Sequence, residues 1–240
     1  MDSYFEKIYK GSADGFYNDI KNSLAENRKK FIVTANPEAF MLGKADGEVD
    51  RLLKDNDTTV VADGIGLVKG AKIAGFDIKE RIPGIEIAQK LLEYGNELSS
   101  SVFLFGAKSE VITALCKEIN RKYPNITIIG FKDGYADNKN EVFEEIKKLK
   151  PDIVMVALGM PMQEKIIYKH LKDFDKGIFI GVGGSFDVLS GMKIRAPKFF
   201  IKHNLEWLYR ITKEPKRLKR FYNNNIKFLF KLKKIKNKTK

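Results

Sequence analysis

A chain of 240 residues with 43% hydrophobic and 11% aromatic side chains is large enough to bury one full core, so one large domain is the default. Its formal net charge is +13, yet residues 191–240 hold 17 Lys/Arg against two acids, Glu206 and Glu214, while the other 190 residues carry 27 basic and 29 acidic groups. The basicity belongs to the C-terminal segment and points to a polyanionic partner there. A single cysteine, Cys116, excludes a disulfide framework and suggests a reducing compartment. "MDSYFEKIYK" has no leader-like apolar stretch and no apolar run of about 18 residues occurs, so neither secretion nor a spanning helix is expected.

Short β-branched or aromatic runs recur along the chain: "FIVTA" at 31–35, "TTVVA" at 58–62, "SVFLFG" at 101–106, "ITIIGF" at 126–131, "DIVMVALG" at 152–159 and "GIFIGVGG" at 177–184. Helical patterns separate them, Cys116 lying in one, where a buried, inert thiol is expected. Such alternation predicts a Rossmann-like α/β core over residues 1–190: a mainly parallel sheet with helices on both faces. After residue 190 the strand signals stop and a helical, basic appendage follows over residues 191–240, interrupted by Pro215. Beyond Pro215, Leu218, Phe221, Tyr222, Phe228, Leu229, Leu232 and Ile235 recur at helical spacing between lysines and arginines. That helix either docks on the core or lies on an anionic membrane; the lack of acids after Glu214 favours the membrane.

Ligands of open parallel sheets bind at the carboxyl ends of strands. The residues just past each run are Thr34, Asn36 and Glu38; Asp63, Gly64 and Gly66; Gly106, Ala107 and Lys108; Asp133, Gly134 and Tyr135; Gly159, Pro161, Gln163 and Glu164; and Gly181, Gly183, Gly184, Ser185 and Asp187. Taken singly, each reads more readily as turn chemistry or a helix cap than as a ligand contact. Together they mark one sheet edge. The chain has no HExxH, no paired Cys/His spacing, no GxSxG and no DxD-type pair to hold Mg²⁺ on a nucleotide, and His170 and His203 fall in helical contexts. "TANPEAF" stands where a dinucleotide-binding protein carries its glycine fingerprint, which argues against a dehydrogenase. A nucleic-acid-binding reading of the basic tail lacks any RRM, KH or helix-turn-helix signature.

Several blocks, "TANPE", "ADGIGLV", "RIPG", "LFGA", "GYADN", "ALGMPMQEKII", "GVGGSFDVLSGMKIRAP" and "LEWLYRITKEPKRLKR", stand in an order that resembles the WecG/TagA/CpsF family over about residues 31–220. The resemblance implies an inverting, metal-independent bacterial glycosyltransferase. Its substrates would be a UDP-sugar, most typically UDP-N-acetylmannosamine, and polyprenyl-diphosphate-linked N-acetylglucosamine. It would act in cell-wall or surface polysaccharide synthesis from the inner face of the membrane, peripherally and without nucleic acid. Relatives use other hexoses, and they can self-associate, so another UDP-hexose and a homo-oligomer stay open. By the same resemblance Asp63 is the base and Thr34 orients the donor or the reacting hydroxyl. Asn36, Arg81, Gly106, Ala107, Gln163, Gly183, Gly184 and Asp187 hold the donor, and Arg210, Arg217 and Arg220 neutralise the departing diphosphate in place of a metal. Spacings of seven and three would align those arginines on one helical face if Pro215 bends the helix mildly. Glu86 and Ala62 stand where the family often has aspartate and proline.

Overall fold

Runs of Val, Ile and Phe short enough for strands, separated by capped helical stretches, dictate a layered arrangement with the sheet inside. The computed structural model describes residues 1–238, with side chains for residues 1–232 apart from Arg217 and Arg220. In chain order come α1 (Asp2–Lys7), α2 (Ala13–Ala25), β1 (Lys30–Ala35), α3 (Pro37–Gly43), α4 (Gly47–Lys54), β2 (Thr58–Ala62), α5 (Ile65–Ala74), α6 (Gly84–Glu97), β3 (Ser101–Gly106), α7 (Ser109–Lys122), β4 (Thr127–Lys132), α8 (Lys139–Leu149), β5 (Ile153–Ala157), α9 (Met162–His170), β6 (Ile178–Gly181) and α10 (Ser185–Leu189). The appendage supplies α11 (Lys198–Lys202), α12 (Glu206–Lys213), α13 (Arg217–Phe221) and α14 (Lys227–Lys238).

Among the described residues the strands form one sheet in the order β2-β1-β6-β5-β3-β4, and every neighbouring pair is parallel. The central β5 and β6 are buried at every position, as a sheet covered on both faces requires, whereas the edge strand β4 is half-exposed. Alternate residues divide into two apolar layers. Phe31, Val33 and Ala35 face α1, α3, α4 and α5, while Ile32 and Ile180 face α2, α6, α7 and α10. Local chemistry starts the helices: Ser12, Asn36, Asp46 and Asn138 each accept a backbone N–H of the first turn, and Pro37 opens α3 with its φ already set. Burial pushes the half-buried Cys116 thiol up to about 11, which keeps it an inert thiol.

The appendage departs from the sequence expectation in two ways. Pro215 ends the helix completely: α12 stops at Lys213 and α13 starts afresh at Arg217, so a single face shared by Arg210, Arg217 and Arg220 does not exist. Secondly, the apolar face of the last helix is partly occupied by the core. Phe228 and Leu232 of α14 are buried in the layer that holds Phe5 and Phe40, and a Cβ on Gly70 of α5 would fall 2.6 Å from the Phe228 ring. Gly70 is the gap that admits Phe228. Trp207 stacks on Phe221 at 4.2 Å and Tyr209 packs on Phe200 at 5.4 Å, so these aromatics bind appendage helices to one another.

Candidate active site

The end of β2 carries the carboxylate of greatest chemical interest. Asp63 is tied to the sheet by its backbone N–H, which donates to the Ala35 carbonyl of β1 at 2.7 Å. Gly64 follows at φ 102°, a backbone that favours glycine, and turns the chain into α5. Solvent still reaches Asp63, but protein surrounds it closely enough that desolvation pushes its carboxyl up to about 6. Arg210 and Arg81 pull in the opposite direction, and the negative charges of Glu206 and Glu86 add to the rise. Asp63 is thus ionised at neutral pH and basic enough to accept a proton. On the neighbouring strand Thr34 is buried, its hydroxyl 3.5 Å from the Gly181 carbonyl and covered by Gly84, where a Cβ would lie 3.1 Å from Thr34 Cγ2.

The charges of Arg81, Glu86, Glu206 and Arg210 act on Asp63, and Arg195 pairs with Glu86 and approaches Glu206. Arg210 Nη2 donates to Glu206 Oε1 at 2.7 Å within α12, and Arg81 Nη1 lies 3.9 Å from Glu206 Oε2. Arg195 donates through Nη2 to Glu86 Oε1 at 2.7 Å, and its Nε lies 3.9 Å from Glu206 Oε1. Arg81 also donates to the Ile201 carbonyl at 3.4 Å, which fastens the appendage to the core. A cleft of about 330 Å³ opens here, lined by Ile65, Val68, Lys79, Glu80, Arg81, Pro83, Glu86, Ile201 and Asn204. Its lining mixes apolar with charged side chains.

The remaining residues expected to hold a donor have structural partners of their own. Asn36 accepts the Ala39 N–H at 3.0 Å as the cap of α3. Gln163 is buried: its Oε1 accepts from the N–H groups of Gly159 and Gly183 at 3.0 and 3.1 Å, and its Nε2 donates to Glu164 Oε1 at 2.7 Å. It braces the loop after β5 against the loop after β6. The Gly183 N–H is therefore engaged, and Gly184 caps the short α10. Gly106, at φ 122°, leaves no room for a Cβ, which would lie 2.4 Å from the Ala157 oxygen, and the Ala107 N–H donates to that same carbonyl at 2.9 Å. Asp187 pairs with Lys193 at 3.3 Å. The side chains of Arg217 and Arg220 lie outside the described residues.

Glu86, Arg195 and Glu206 were absent from the expected site. Glu86 stood out only as a departure from a pattern, and Arg195 lay unremarked inside "KIRAP". The available signal for Glu206 was compositional: it is one of two acids in a segment of 17 Lys/Arg. Among the described residues the one grouping of three potential His/Cys/Asp/Glu metal ligands, Glu144, His170 and Asp173, lies where α9 ends, at the amino side of the sheet.

A model of the family described as "Glycosyl transferase WecG/TagA/CpsF family" matches residues 6–240. The chain belongs to this family. Similar proteins include the N-acetylglucosaminyldiphosphoundecaprenol N-acetyl-beta-D-mannosaminyltransferase of Bacillus spizizenii, 39% identical over 197 residues, which are 82% of this chain and 76% of that protein. The protein of the same name from Bacillus subtilis is 39% identical over 207 residues, covering 86% and 80%. That from Staphylococcus aureus strain MW2 is 38% identical over 226 residues, covering 94% and 85%. The WecG/TagA/CpsF match starts well before "TANPE", and it takes in α2, whose Tyr17 hydroxyl donates to Glu86 Oε2 at 3.4 Å. Helix α2 of this glycosyltransferase is thereby tied to its charged network.

Proposed function

We propose that this glycosyltransferase moves N-acetylmannosamine from its UDP-sugar to undecaprenyl-diphosphate-linked N-acetylglucosamine with inversion and without a metal. The observation that carries the reading is Asp63, a carboxyl held at about 6 at the end of β2 with Arg81 and Arg210 close enough to act on its charge. Inversion in one displacement requires a base for the acceptor hydroxyl and positive charge for the departing diphosphate. Asp63 takes the hydroxyl proton as the new glycosidic bond forms and the bond to UDP breaks. Arg210 and Arg81 stabilise the charge that collects on the diphosphate, and guanidinium groups do so at any working pH. Arg217 and Arg220 add positive charge on the next helix. Carboxylates near Asp63 support a metal-free site, since Glu86 and Glu206 already pair with arginines.

UDP release from UDP-N-acetylmannosamine, with a soluble acceptor analogue and EDTA, tests this reading. Acceptor-dependent turnover that survives EDTA is the expected result; turnover only with another UDP-hexose reassigns the donor, and turnover that needs a divalent cation rejects the arginine mechanism. D63N should lose roughly 10²–10⁴-fold in turnover while still binding UDP.

The appendage supports contact with an anionic membrane. Met192, Ile194, Phe199, Leu218, Tyr222 and Phe230 are exposed among lysines, and among the described residues no helix is long and apolar enough to cross a bilayer. Binding to anionic liposomes in preference to a random oligonucleotide at physiological salt is the expected outcome.

A further inference from the structure

Burying a carboxylate is costly unless charges and hydrogen bonds hold it. Glu206 is only 7% exposed. It has one hydrogen bond, from Arg210, and two further guanidinium groups at 3.9 Å, Arg81 and Arg195, each from a different segment. The three arginines differ in freedom. The side chain of Arg210 is 52% exposed, against 16% for Arg81 and 21% for Arg195. Arg81 and Arg195 are fixed elsewhere, to the Ile201 carbonyl and to Glu86. The buried Nε of Arg195 has no hydrogen-bond partner, and Glu206 Oε1 stands 3.9 Å away.

We propose that Glu206 is a positioning residue of the transfer reaction: it holds Arg81 and Arg210 beside Asp63, with Arg195 at its back, and is the internal counter-ion from which an incoming diphosphate takes Arg210. The exchange follows from the geometry. Arg210 gives one N–H to Glu206 and, alone of the three, is exposed enough to turn outward, so a diphosphate that engages its guanidinium competes with Glu206 for its charge. Glu206 is not stranded when Arg210 leaves, because a shift of about 1 Å brings it within hydrogen-bond distance of Arg195 Nε. The same carboxylate sets the field at the base. The charged groups acting on Asp63 are Arg210 and Glu206 from α12, Arg81 from the segment before α6, and Glu86 from α6. Removing the charge of Glu206 leaves the arginines in excess.

The inference rests on the reading of Asp63 as base and Arg210 as diphosphate ligand, and E206Q tests it. Glutamine keeps the volume and an acceptor for Arg210 but loses the charge. In the full-length protein, UDP should bind E206Q at least about threefold more tightly than wild type by calorimetry, and the gain should vanish in the E206Q/R210Q double variant. The acid limb of the kcat/KM profile should move to lower pH, a change that a purely structural role would not produce. A folded E206Q with unchanged or weaker UDP affinity, or with an unmoved acid limb, overturns the proposal. Should E206Q fail to fold, E206D shortens the carboxylate while keeping its charge; it should bind UDP more tightly with the acid limb in place, and unchanged or weaker affinity again overturns the proposal. Wild-type protein that binds no UDP, or D63N that turns over like wild type, overturns the underlying reading instead.

Discussion

Asp63 and Glu164 show how burial acts on two carboxyls of one sheet edge. For Asp63 the base must be ionised, so kcat/KM should rise as pH passes through about 6 and level off above it. A pH-rate profile with its acid limb near 4 would remove burial from the account. Glu164 is 2% exposed, its Oε2 has no partner among the described residues, and desolvation pushes it up to about 7. A carboxyl raised on folding holds its proton more tightly in the folded state, so its favourable contribution is present below the unfolded value and is lost as pH climbs through about 7. E164Q should therefore be more stable than wild type at pH 8, by up to about 3 kcal/mol, and indistinguishable at pH 4, measured by urea unfolding. Gln163 separates two roles: Q163A leaves the N–H groups of Gly159 and Gly183 without their acceptor, so its Tm should fall, whereas a residue that only touched donor would leave Tm alone. Much of this site was legible, because Asp63, Thr34, Arg81 and Arg210 sit in distinctive blocks. Its counter-ions were not: Glu86, Arg195 and Glu206 come together only through tertiary packing. Nor does a sequence reveal that the carbonyl of Gln163 is taken by backbone.

At the scale of elements, the strands were readable because a sheet buried on both faces needs nearly unbroken apolar runs, and each run became a strand within a few residues of its expected place. Their order was not readable, since each parallel crossover leaves its destination to tertiary packing. The appendage was half legible. Helical spacing located α14, but the spacing is the same whether its apolar face meets lipid or protein, and Gly70, whose missing side chain makes room for Phe228, lies far away in sequence. F228A should cost about 3–5 kcal/mol if α14 is docked as described, read from denaturant unfolding. A cost under about 1 kcal/mol would mean that α14 leaves α5 in solution. Pro215 was visible, but the completeness of the break was not: a proline alone does not distinguish a kink from the end of α12.

At the scale of the molecule, the basic appendage also carries exposed apolar side chains. Ile194, 86% exposed, and Met192 stand on the loop between α10 and α11, with Lys193 between them and Phe199 beyond. I194E should weaken flotation with anionic liposomes several-fold. Equal flotation would move the membrane contact elsewhere on the appendage. One apolar layer also joins distant parts of the chain: the Phe228 ring lies 6.3 Å from Phe5 and 6.2 Å from Phe40. During synthesis those two rings are made early and the third more than 180 residues later. Until then the outer side of α5 faces water, so a nascent or truncated chain that stops short of Phe228 exposes an aromatic surface to chaperones and to other copies of itself.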